Sequence, residues 1–240
     1  MDQGLNLKLP FFELGPKAYL YGAKLLDLAL FADDLCLQYD VDIILTPQCV
    51  DIPLLAKGTK NIRVFAQHID SLKIGRGIGA ILPEAVKEAG AEGTLLNHAE
   101  KKLTLAEVER TIQRADEVGL ATMVCADTPQ EAVTIAKMKP NILLVEPPKL
   151  IEAGKREIND PQEIQKVNEM IWEVNPNIRV LHGGGISSGQ DVYNIIKCGS
   201  QATGSTSGVV LANNPKLKLE EMIRALRQAW DEIPHHGENL

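Results

Sequence analysis

A histidine, a carboxylate and a lysine each stand just beyond a short apolar run of this sequence. His98 lies in Leu95-Leu96-Asn97-His98-Ala99-Glu100, where an imidazole can act as acid, base or electrophile. Glu146 lies in Leu144-Val145-Glu146-Pro147-Pro148. Partial desolvation at the end of an apolar segment raises a carboxylate's basicity towards that of a general base. Lys17 lies in Gly15-Pro16-Lys17-Ala18-Tyr19 and can supply fixed positive charge. Taken singly, each has a plainer reading: a structural histidine or helix cap, a glutamate bridged to a loop cation, a solvated lysine.

Two glycine-rich stretches add a second kind of chemistry. They are His182-Gly183-Gly184-Gly185-Ile186-Ser187 and Gly204-Ser205-Thr206-Ser207-Gly208. Without side chains in the way, backbone N–H groups can surround an anion. His68 and Asp70, with His98 and Glu100, imitate metal-ligand spacing, but such pairs are common and no metal is expected. The His235-His236 pair reads as a solvated tail.

The elements that must carry these residues alternate regularly. Strands are expected at Leu7–Leu14, Asp42–Thr46, Ile62–Gln67, Gly93–Leu96, Leu120–Cys125, Ile142–Val145, Ile178–Leu181 and Gln201–Gly204. Helices are expected at Leu20–Gln38, Asp51–Lys57, Pro83–Ala89, Leu105–Val118, Thr128–Lys137, Pro161–Val174, Gln190–Lys197 and Leu219–Trp230. The segment between Pro147 and Gly154 is read as a stiff loop, because each proline fixes φ, with Gly154 as a hinge. Strands apolar on both faces and followed by helices are those of a buried parallel sheet. Eight units in 240 residues, about 30 each, predict an α/β fold with a single (β/α)8 barrel over residues 1–240. An open doubly wound sheet is the alternative. In a barrel the chemistry lies at the strand ends, with anions held after strands seven and eight.

Composition narrows the partners. Lys and Arg total 25 against 32 Asp and Glu, a net charge of −7, which disfavours nucleic acid as a general partner. No apolar stretch reaches a membrane span's length of about 18 residues, and no basic-then-apolar leader is visible at the N-terminus. The cysteines Cys36, Cys49, Cys125 and Cys198 form no CxxC pair and suit a reducing cytoplasm.

These strand ends, taken together and in order, resemble the triosephosphate isomerase family, its short archaeal-type branch in particular. The stretches Ala66-Gln67-His68-Ile69-Asp70, Gly90 to Glu100, Glu146 to Ile151 and Gly183 to Ile186 carry the likeness, which runs from about Leu9 to Ala229. The resemblance implies a cofactor-free aldose–ketose isomerase of a small sugar phosphate, forming a homodimer or homotetramer. It places the family's electrophilic histidine on His98, its base on Glu146 and its active-site lysine on Lys17. Its phosphate contacts fall on Ile151, Gly154, Gly183, Gly184, Gly185, Thr206 and Ser207, and its closing lid on Pro147–Gly154.

The sequence departs from the family pattern at several points. Gly15 replaces an asparagine two places before the lysine, and Ala99 replaces a serine after the histidine. The lid ends Glu152-Ala153-Gly154, the subunit-contact loop carries Gly77-Ile78-Gly79, and the eighth strand end is polar. Two alternatives therefore stand beside a triose phosphate substrate: a paralogue acting on a tetrulose phosphate or similar phosphoketose, and a phosphosugar-binding protein without catalysis.

Overall fold

The computed structural model describes residues 5–153 and 161–233. Eight parallel strands pair in sequence order, β1 (Phe11–Leu14), β2 (Asp42–Leu45), β3 (Arg63–Ala66), β4 (Gly93–Leu96), β5 (Ala121–Ala126), β6 (Ile142–Val145), β7 (Arg179–His182) and β8 (Ala202–Ser205). The ring closes by pairing of Phe11 to Leu14 with Ala202 to Ser205. It is a (β/α)8 barrel, not an open doubly wound sheet.

Side-chain alternation along each strand feeds two cores. Inward residues such as Phe11, Ile44, Phe65, Met123, Ile142 and Leu181 fill the barrel. Their neighbours Phe12, Ile43, Val64, Val124, Leu143 and Val180 point outward into a larger core beneath the helices. Most strand positions are thus buried on both faces, which is why the strand sequences are rich in apolar residues.

Local chemistry sets the helix limits. Thr104 and Glu107 form a reciprocal capping box at the start of α4 (Leu105–Val118), and Gly119 ends that helix with φ of 74°. Ser188 and Asp191 do the same for α8 (Gly189–Lys197). Three of the departures from expectation involve proline. β1 is shorter because Pro10 offers no backbone N–H to a ladder. The final helix, α10, starts at Pro215, capped by Asn214, rather than at Leu219. Pro148–Ala153 forms a short helix, α6, where a stiff loop is expected, Pro148 being compatible with a first helical turn.

The inner core is closely fitted at β4. A Cβ placed on Gly93 would lie 2.5 Å from the Phe65 ring and 2.7 Å from the Ala121 carbonyl oxygen. The second neighbour is backbone and cannot rotate away. Gly93→Ala should therefore destabilise the barrel by about 3 kcal/mol through overpacking, read from the midpoint of a urea titration. An unchanged midpoint would show that the ring has room to retreat.

Candidate active site

His98, Glu146 and Lys17 line one cavity at the C-terminal mouth of the barrel, about 510 Å³ in volume, together with Gly183, Gly184, Gly185, Thr206 and Ser207. His98 Nε2 lies 3.6 Å from Glu146 Oε2. That is too long for a hydrogen bond, yet close enough for both groups to reach one two-carbon unit of a small molecule. The glycine stretch closes the same cavity; Gly184 and Gly185 hold φ values of 88° and 71°, which L side chains rarely adopt.

The imidazole is aimed by the chain just around it. Asn97, in a left-handed conformation with φ of 59°, donates from Nδ2 to the Cys125 carbonyl at 2.9 Å and to Glu131 at 3.0 Å. Its Oδ1 accepts from the Leu103 N–H at 3.0 Å. These bonds fix the turn that follows β4. The Glu100 N–H then donates to His98 Nδ1 at 3.1 Å. An Nδ1 used as acceptor places the proton of neutral imidazole on Nε2, the nitrogen that faces Glu146. Burial, and next the Lys17 charge, lower the His98 pKa below its ordinary value and favour this neutral form.

Lys17 follows β1 with an unusual φ of 46°. Gln67 holds it there, donating from Nε2 to the Lys17 carbonyl at 3.0 Å and the Thr46 carbonyl at 2.9 Å. Lys17 Nζ donates to Glu100 Oε1 at 2.7 Å, and this bond holds the Glu100 carboxyl below its usual range. Glu100 therefore serves the site twice, aiming the histidine with its backbone and the lysine with its side chain. Gln67 and Glu100 stand within the stretches that carry the family likeness, but their roles depend on contacts that the sequence does not print.

His68 lines the same cavity, whereas Asp70 does not. His68 and Asp70 pair with each other at 3.1 Å, and Asp70 accepts the Ile81 N–H at 2.7 Å. They pin the base of the 70–81 loop. Ile151 lies in α6, directly after Glu146 and its prolines, with its side chain outside the described residues. Gly154 also lies outside them.

Several lining residues lie outside the expected set, and one of them carries a carboxyl group on a barrel strand. Glu13, on β1, turns inward at the cavity floor, where its Oε1 accepts from Thr46 Oγ1 at 2.7 Å. It is half-buried by surface area and lines the cavity, with protein packed around its carboxyl group. This burial, opposed by the Thr46 bond and reinforced by the Glu146 charge, pushes its pKa up to about 7.

The raised value has a consequence for stability. An unfolded chain releases this proton near 4.5, while the folded chain keeps it to about pH 7. Between those values the folded state holds more protons, so stability falls as pH rises through the window. The full loss, up to about 3 kcal/mol, is present above it. Glu13→Gln should therefore gain stability relative to wild type on going from pH 4 to pH 8. Parallel melting-temperature profiles for the two proteins would refute the raised value.

A sequence profile of the family described as triosephosphate isomerase matches residues 21–204. The chain is 39% identical over 217 residues to triosephosphate isomerase from Methanobacterium bryantii, covering 89% of this chain and 96% of that protein. It is 36% identical over 229 residues to the enzyme of the same name from Sulfurisphaera tokodaii, covering 94% and 99%. Among solved structures, triosephosphate isomerase from Bartonella henselae superposes with a TM-score of 0.71 at 16% identity, covering 93% and 99%, a likeness of fold. With a matched profile over most of its length and relatives this similar across nearly the whole chain, the protein belongs to the triosephosphate isomerase family.

Proposed function

We propose that this chain interconverts dihydroxyacetone phosphate and glyceraldehyde 3-phosphate, an aldose–ketose isomerisation through an enediolate. The observation that carries the reading is the meeting of His98 Nε2 and Glu146 Oε2 at 3.6 Å in one cavity, with Lys17 and the glycine stretch at its walls. Family membership supports a three-carbon substrate over a longer phosphoketose or a binding role alone.

Glu146 removes a proton from the carbon beside the substrate carbonyl. Charge then develops on the carbonyl oxygen, where the Nε2–H of neutral His98 donates a hydrogen bond and Lys17 adds a fixed positive charge. Glu146 returns the proton to the neighbouring carbon. A neutral histidine beside a glutamate base is the arrangement for which triosephosphate isomerase itself is the standard example; here burial and Lys17 supply the neutrality. The substrate carbonyl delocalises the charge, so the chemistry calls for no metal or organic cofactor. The backbone of Gly183, Gly184 and Gly185 with Thr206 and Ser207 receives the phosphate, the position this fold uses for anions. The chemistry of the compartment follows from the cysteines: none of the four is in a disulfide, which suits the reducing cytoplasm. No helix among the described residues is long and apolar enough to cross a membrane.

The assembly reading rests on the 70–81 loop. Ile74 and Ile78 on this loop are fully or largely exposed, although the loop's base is pinned by Asp70 and by the Arg114 bond to the Leu72 carbonyl at 3.1 Å. Large apolar side chains presented on an anchored loop suit burial against another subunit. We read the protein as a homodimer or homotetramer.

Two measurements test the isomerase reaction and the assembly. Glu146→Gln should lower turnover of triose phosphate by at least ~10²–10⁴-fold, the usual worth of a general base, while leaving substrate affinity largely intact; turnover near wild type would remove Glu146 from the mechanism. Ile78→Glu should move the solution mass measured by light scattering to that of a single 26.2 kDa chain, and an unchanged oligomer would place the interface elsewhere.

A further inference from the structure

The cavity floor holds a carboxyl group that the isomerisation as described does not use. Glu13 lies in register with Ile44 on β2 and Gly204 on β8. Its position depends on missing side chains around it. A Cβ on Gly204 would lie 2.8 Å from Glu13 Oε2, and a Cβ on Gly15 would lie 2.9 Å from Oε1. Thr46 occupies Oε1 with a hydrogen bond, and Oε2 accepts none among the described residues. A polar group held by one oxygen and given room by two glycines, on the wall of a binding cavity, is built to meet a ligand.

We propose that Glu13 is a specificity-determining substrate contact, whose Oε2 hydrogen-bonds an oxygen on the carbon chain of the bound sugar phosphate. This rests on the isomerase reading above. Glu13 lines the cavity that Glu146, His98, Lys17 and Thr206 also line, and its strand pairs with β8, just beyond which Thr206 stands, so a ligand held between Thr206 and His98 shares that cavity with it.

The ionised groups facing Glu13 decide which form binds. Glu146 faces it from the end of β6 and raises its proton affinity; Lys17, beyond β1, lowers it, and Thr46 on the β2 side lowers it through its hydrogen bond. Cys125, facing from β5, keeps its proton, because burial and then the charges of Glu146 and Glu13 raise its pKa well above the usual thiol value. A phosphate dianion brings further negative charge to a cavity that already contains Glu146. The protonated carboxyl is the form that adds no repulsion and can donate from Oε2.

The test compares wild type, Glu13→Gln, Glu13→Leu and Thr46→Val with triose phosphate from pH 6 to pH 8. Wild-type KM should rise about tenfold across this range as the carboxyl ionises, and Glu13→Gln should lose that rise, keeping only the change due to the substrate's own phosphate titration. At pH 6, Glu13→Leu should raise KM about fivefold, the worth of one neutral hydrogen bond, with kcat and inhibition by inorganic phosphate within about twofold of wild type. Thr46→Val, which leaves Glu13 in place, should move the wild-type rise to higher pH, a change that a purely structural role for Glu13 does not produce. Normal wild-type turnover with the same KM profile in all four proteins would overturn the Glu13 contact alone. Absence of isomerase turnover in the wild type would overturn the functional reading and this one with it.

Discussion

Pairing of the first strand with the last is the constraint on which the site depends. Phe11 to Leu14 lie against Ala202 to Ser205, and this ladder turns a row of eight strands into a ring. Ring closure brings Lys17 and Thr206, which lie near opposite ends of the described chain, to adjacent positions on one rim. It also sets a uniform polarity: all eight strands run the same way, so their C-terminal ends share one face of the barrel, where the cavity lies. The dense apolar filling below, from Phe11, Phe65 and Met123, makes that cavity a shallow well with a solid floor rather than a pore.

Within the well, charge is arranged by short-range contacts. The Glu100 backbone determines which imidazole nitrogen carries the proton, and the Glu100 side chain draws Lys17 to the same wall. His98 is kept neutral chiefly by burial, with Lys17 assisting. A neutral imidazole can donate a hydrogen bond from Nε2 without placing a full positive charge beside the Glu146 carboxyl group. Glu13 and Glu146 face one enclosed space, and like charges there cannot both be ionised cheaply. Burial first, and the Glu146 charge after it, raise the proton affinity of Glu13.

Much of this was legible from residue order. Alternating apolar runs and amphipathic segments marked the eight units, and polar residues just past the runs marked His98, Glu146 and Lys17. Three of the misread elements were governed by proline. Pro10 shortens β1, Pro148 fits the first turn of α6, and Pro215 with Asn214 starts α10 before any apolar periodicity begins. Glu13 was not legible at all. In Phe11-Phe12-Glu13-Leu14 it is one acidic residue in an apolar segment. Its importance comes from Thr46 just beyond β2 and Gly204 on β8, neither of which is near it in the chain.

The sequence by itself determined the order of strands and helices, because periodicity and caps act over a few neighbouring residues. It also determined which residue types would stand at the strand ends. Only the tertiary structure decided which of them share a cavity, which nitrogen of His98 bears the proton, and that the Glu13 carboxyl holds its proton more tightly than a free one. Those outcomes depend on distances of a few ångströms between segments far apart in the chain, and on the exclusion of bulk water that ring closure creates.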